Sequence, residues 1–127
     1  MPHSHQQAQR WLDLVMEQAF AEKDLLAAHI AVGAITSICS CGCHGFEFAV
    51  PNNPEIKPMS AGAGMFCEMA FSSNLSEEVA ILLFTDARGY FAGADVTYGP
   101  ANIGPMPDGI EVNELKGIWH SRPAPES

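Results

Sequence analysis

The chain has 127 residues, a hydrophobic fraction of 47% and a formal charge of −9. That length suits one domain with a real core, and no apolar stretch reaches the ~18 residues that a bilayer-crossing helix needs. The acid excess repels nucleic acid and anionic membrane, and the N-terminus lacks the basic region and apolar core of a secretory signal, so a cytoplasmic protein is expected.

Residues 4–22 read as an amphipathic helix. Ser4 and Gln7 have the spacing of a capping box. Trp11, Leu12, Leu14, Val15, Met16, Ala19 and Phe20 make a wide apolar face, with Arg10, Asp13 and Glu17 on the other side. Asp24 has the chemistry to cap a second short helix through about residue 29. Gly33 breaks the helical pattern, and residues 34–39 and 46–50 follow as strands. The run between them is then a hairpin connection, with Gly42 and Gly45 supplying backbone freedom. Pro51-Asn52-Asn53-Pro54 opens a loop that runs to about residue 62.

Residues 65–71 alternate as a strand, with Met65, Cys67, Met69 and Phe71 on one face and Glu68 on the other. Residues 79–84 are continuously apolar, as a central strand would be. After the turn Asp86-Ala87-Arg88-Gly89, the side chains of Tyr90, Ala92, Ala94, Val96 and Tyr98 share a face, opposite Asp95 and Thr97. Residues 99–109 form a long loop rich in Gly and Pro, and residues 115–119 form a short terminal helix or docking segment. The expected architecture is a single α+β domain over residues 1–127, with flexible ends at 1–5 and 121–127. In it the N-terminal helix or helices pack on a four- to five-stranded antiparallel sheet, connected as a meander.

The densest group of reactive side chains is Cys39-Ser40-Cys41-Gly42-Cys43-His44-Gly45. Cys39, Cys41, Cys43 and His44 offer the four borderline-soft ligands that a tetrahedral zinc needs. Successive strand residues point to opposite faces, so they meet one ion only if the backbone curls round it. There is no second Cys-x-x-Cys knuckle, so thiols in a tight turn remain the competing description. Cysteine catalysis is a weaker reading, because a His adjacent in sequence rarely faces its neighbour's sulfur and no oxyanion partner is visible. Cys67, in an apolar run, reads as a core residue.

Charge is unevenly spread. Between residues 40 and 115 the only bases are Lys57 and Arg88, against a long series of acids. Glu47, Glu68 and Asp95 all fall opposite their strands' apolar faces and so share the sheet face turned away from the helices. That arrangement suits docking of a basic partner, paired-carboxylate chemistry, or plain polar alternation on a solvated face. In and after the long loop, Ile103 and Met106 sit among turn formers, followed by Asp108 and Glu111. An apolar centre with a charged rim is the composition of an interface; a proline-stiffened loop packed over the sheet is the alternative.

The segments Trp11 to Leu14, Cys39 to Cys43 with Phe46 to Phe48, Ile81 to Phe84, and Gly89-Tyr90 through Asp95-Val96-Thr97-Tyr98 resemble a group of small, mostly uncharacterised bacterial proteins. Those proteins carry a Cys-x-Cys-Gly-Cys turn. This chain departs from that group in having His44 and Gly45 after the turn. In size and charge it is also similar to immunity proteins, a likeness of class rather than of motif. The resemblance implies a cytoplasmic, non-enzymatic protein that neutralises a cognate basic, nuclease-type toxin by binding it. Its partner would be a basic protein, with neither nucleic acid nor membrane, and a homodimer is a further arrangement. It implies no cofactor. The alternatives are a zinc protein built on the Cys39–His44 run and a small enzyme with carboxylate or cysteine chemistry.

Overall fold

Ser4 starts the first helix as expected: its Oγ accepts the Gln7 N–H at 3.1 Å, satisfying a donor that helix geometry leaves unpaired. The computed structural model of the chain describes residues 4–38, 44–99, 106–107 and 109–120. The helical region is two helices, α1 (His5–Met16) and α2 (Lys23–Val32). Asp24 does not cap the second. Glu22 holds the N-cap position without a side-chain capping bond, and Asp24 lies in the first turn, where its charge still favours the helix dipole. Of the ends expected to be flexible, 1–3 and 121–127 lie outside the described residues, whereas Ser4 and His5 are the cap and first residue of α1.

Among the described residues six strands follow: β1 (Ala34–Ile38), β2 (Phe46–Ala49), β3 (Gly64–Ser73), β4 (Val79–Thr85), β5 (Phe91–Tyr98) and β6 (Val112–His120). They form one antiparallel sheet in the order β1-β2-β5-β4-β3-β6. The class is therefore α+β with an antiparallel sheet. It has more strands than expected, and only β3-β4-β5 is a meander. Residues 50–63 carry the chain from β2 past β5 and β4 to β3. They are tied down on the way: the Tyr90 hydroxyl donates to the Asn53 and Ile56 carbonyls, and Arg88 Nη2 donates to the Val50 carbonyl.

Residues 115–119, expected as a short terminal helix or docking segment, lie within the edge strand β6. Its apolar residues Val112, Leu115 and Ile118 recur every three positions, which imitates a helix. The spacing comes from pairing. Val112, Leu115 and Ile118 stand opposite Ser73, Phe71 and Met69, so β6 carries extra residues at two irregularities. Each bulge moves one residue out of step while the apolar side chains stay on the core face.

The core lies between the helices and one face of the sheet. Ala8, Trp11, Leu12 and Val15 of α1 and Leu26 of α2 pack with Phe46, Phe48, Cys67, Met69, Phe71, Ile81, Leu83, Phe91 and Val96. Two further bulges revise the expected faces. One between Met65 and Cys67 brings Phe66 into the core and leaves Met65 opposite Phe84 on the outer face. Another, at Phe84/Thr85 against β5, makes Phe91 rather than Tyr90 or Ala92 the core residue. A period of two cannot continue through an inserted residue.

Candidate functional site: the outer face of the sheet

The sheet face turned away from the helices is built in rows by strand pairing. Asp95, Leu82, Glu68 and Trp119 are successive cross-strand partners on β5, β4, β3 and β6. The next row is small: Thr97, Ala80, Ala70 and Gly117. Neighbouring strands lie about 4.8 Å apart, so a row of small side chains beside a row of large ones leaves a trough across the strands. Its volume is about 600 Å³. Ala70 and Ala80 lie along the trough, Glu68, Leu82 and Trp119 stand beside them, and Ser76, Glu77 and Glu78 of the β3–β4 turn also line it.

Two details hold this shape. A Cβ on Gly117 would lie 2.8 Å from Cη2 of Trp119, so the indole lies over Gly117 because that position has no side chain. The turn is pinned to the end of β5, where the Tyr98 hydroxyl accepts the Glu77 N–H at 3.2 Å and the Glu78 carbonyl accepts the Gly99 N–H at 2.9 Å. Trp119 is 53% exposed and Leu75, in the same turn, 44%. Large apolar side chains left in water beside carboxylates match the make-up of a binding surface. Among the described residues lining the trough, three are glutamates and none is Lys or Arg.

Glu47, Glu68 and Asp95 all stand on this outer face. Glu68 and Asp95 flank Leu82 in one row. Glu47 pairs with Gly93 in the row that continues to Phe84 and Met65, and it accepts a hydrogen bond from the Ser37 hydroxyl at 3.1 Å. The loop residues do not join them as a group. Met106 is 8% exposed and packs into the core cluster, so it takes the alternative role of covering the core. Glu111 is exposed; its N–H donates to the Asn74 side chain at 2.8 Å. Ile103 and Asp108 lie outside the described residues.

Cys39, Cys41 and Cys43, the proposed thiol ligands, also lie outside the described residues. β1 and β2 do pair antiparallel on either side of them. His44 is described, and its Nδ1 accepts the indole N–H of Trp11 at 3.1 Å. An indole nitrogen only donates, so Nδ1 carries no proton there, and a metal at this run would have to use Nε2.

The sequence reading missed Trp119, Glu77 and Glu78 as parts of one surface. The signal was present in part, because Trp119 stands next to apolar Ile118. Its face, however, depends on two bulges that only the pairing with β3 creates. No helix among the described residues is long and apolar enough to cross a membrane. No family model, no curated protein and no solved structure matches the chain.

Proposed function

We propose that the protein is a binding protein whose outer sheet face docks a basic protein partner. The observation that carries this reading is the trough with exposed Trp119 on one side and Glu68, Glu77 and Glu78 around it, without a basic residue among its described lining. An Arg or Lys side chain has two uses for such a surface. Its charge pairs with the carboxylates, and its flat or apolar part lies on the indole, where a cation gains ~0.5–2 kcal/mol. A second copy of the same face is a poor occupant, because it brings carboxylates against carboxylates.

The specific form we propose is inhibition of a basic, nuclease-type toxin domain in the cytoplasm. A nuclease gathers Lys and Arg to meet phosphates. An acidic face competes for the same charges and is drawn to them over distance. The net charge of −9 serves that attraction.

The test is an NMR titration of isotope-labelled protein with an oligo-arginine peptide, paired with stopped-flow association rates. Amide shifts should concentrate on Glu68, Ala70, Ala80, Leu82 and Trp119. Reversing Glu68→Lys with Asp95→Lys should slow association by at least about tenfold at low salt. Shifts centred on the helices, or an on-rate indifferent to the reversal, would remove the outer face as the docking surface.

A further inference from the structure

On the opposite side of the sheet, three elements bring unlike ligand groups to one point. Glu22 ends the α1–α2 connection, Cys67 lies in β3, and His120 ends β6 directly opposite Cys67. A carboxylate oxygen of Glu22, the Cys67 sulfur and a ring nitrogen of His120 all lie within 4.8 Å of one another. His120 Nδ1 is 3.0 Å from Glu22 Oε2. The other oxygen, Oε1, is sealed from solvent and is the one buried side-chain N or O atom without a hydrogen-bond partner among the described residues.

A buried carboxylate oxygen with no donor is costly, and native structures rarely leave one without a reason. Here no protein donor meets it, and the cluster's other two groups are a thiol and an imidazole. Cys67 is fully buried, and its thiol is pushed up to about 12 by burial, then by the charges of Glu22 and Glu68. It is therefore a neutral thiol at neutral pH and a poor nucleophile, which argues against a Cys–His–Glu catalytic arrangement. The same carboxylates make the spot favourable for a positive ion.

We infer that Glu22, Cys67 and His120 form a binding site for a zinc-type divalent cation, with a fourth position open to solvent beside the exposed His120. The donor set of one sulfur, one nitrogen and one oxygen is that of zinc, whereas calcium and magnesium select oxygen alone. Zinc–ligand bonds of about 2.0–2.3 Å put tetrahedral ligands about 3.3–3.8 Å apart, so side-chain adjustments of about 1 Å close the site. Binding displaces the Cys67 proton to solvent, leaving a metal-bound thiolate. The ion would clamp the α1–α2 connection and the end of edge strand β6 to β3. None of its ligands belongs to the Cys39–His44 run, and the site is independent of the reading of the outer face.

The probe is cobalt(II), whose bond to a thiolate gives a near-ultraviolet charge-transfer band, with zinc as competitor. The full chain carrying Cys39→Ser, Cys41→Ser and Cys43→Ser should bind one cobalt with that band, and zinc should displace it. Cys67→Ala should abolish the band. Since loss of even an outer-shell partner weakens metal sites about 10–100-fold, His120→Ala and Glu22→Gln should each weaken cobalt binding at least about tenfold. His120 is on the rim, so its removal leaves the core intact. On the unsubstituted chain the same His120→Ala exchange should weaken the binding of one cobalt equivalent by the same factor. A band lost with the triple serine substitution while His120→Ala leaves cobalt affinity unchanged would assign the metal to the Cys39–Cys43 run alone and overturn the proposal. So would a band undiminished by His120→Ala and Glu22→Gln.

Discussion

His29 is fully buried where α2 meets the start of β5. Its Nδ1 accepts the Phe91 N–H at 3.0 Å, and its Nε2 lies 2.8 Å from the Lys57 carbonyl. A carbonyl only accepts, so Nε2 donates to it and the ring is held in one orientation. One side chain thus ties a helix, a strand and the 50–63 crossover together. His29→Ala leaves two backbone groups unpaired beside a cavity and should cost ~2–4 kcal/mol in urea denaturation. An effect under ~1 kcal/mol would mean that water replaces the ring at little cost. Asp86 acts nearer the surface. Burial alone would raise its carboxyl, but hydrogen bonds from the Arg88 side chain and the Tyr90 and Arg88 backbone hold it below its ordinary value of 3.8. A lowered folded pKa means that its contribution is complete above the ordinary value and is lost as pH falls through the folded one. The stability gap between the wild type and Asp86→Asn should therefore be widest near neutrality and should narrow below about pH 4. A gap constant with pH would show that the carboxylate's charge is not what matters.

Among the elements, β2 and β5 pair at Phe46 with Ala94 and at Glu47 with Gly93, and the His44 N–H just before β2 donates to the Val96 carbonyl at 3.4 Å. Gly93 has φ +138°, and a Cβ there would collide with the Phe46 carbonyl oxygen. Both the backbone angle and the close approach call for glycine. Gly93→Ala should cost on the order of 2 kcal/mol or more. Amide exchange in β1 and β2 should rise before that in β3 and β4, because the β1–β2 hairpin is attached to the sheet through this seam. Uniform loss of protection would place the seam inside the main cooperative unit. The edge strand β6 shows the reverse dependence. Its residues accept register shifts because it has a partner on only one side, and those shifts set Trp119 on one face and His120 on the other.

At the scale of the molecule, the sheet separates two chemistries. The helix side holds the apolar core and the Glu22–Cys67–His120 group. The outer side holds an acid-lined trough. In the proposed docking, the negative field would act on a basic partner before contact, and ions would screen it over a Debye length of about 8–10 Å near physiological salt. The slowing produced by Glu68→Lys with Asp95→Lys should therefore shrink as salt rises from low to physiological strength. If it stays constant, the acids act through contact geometry rather than through their field.

The sequence by itself determined the composition-level facts and the local ones. These are the acid excess, the Ser4 cap, the apolar face of α1, the hairpin pairing of β1 with β2, the central apolar strand β4, and the outward parity of Glu47, Glu68 and Asp95. All of them follow from neighbouring residues or from an unbroken period of two or 3.6. Tertiary structure decided whatever depended on pairing between distant segments. That includes the sixth strand hidden behind a three-residue period, the faces of Phe66 and Phe91 after their bulges, the burial of Met106, and the pinning of Trp119 over Gly117. It also includes the meeting of Glu22, Cys67 and His120 from three separate elements. For the strand faces, a bulge is the common physical reason. One inserted residue reverses every face beyond it, and its position is set by the partner strand rather than by the residues themselves.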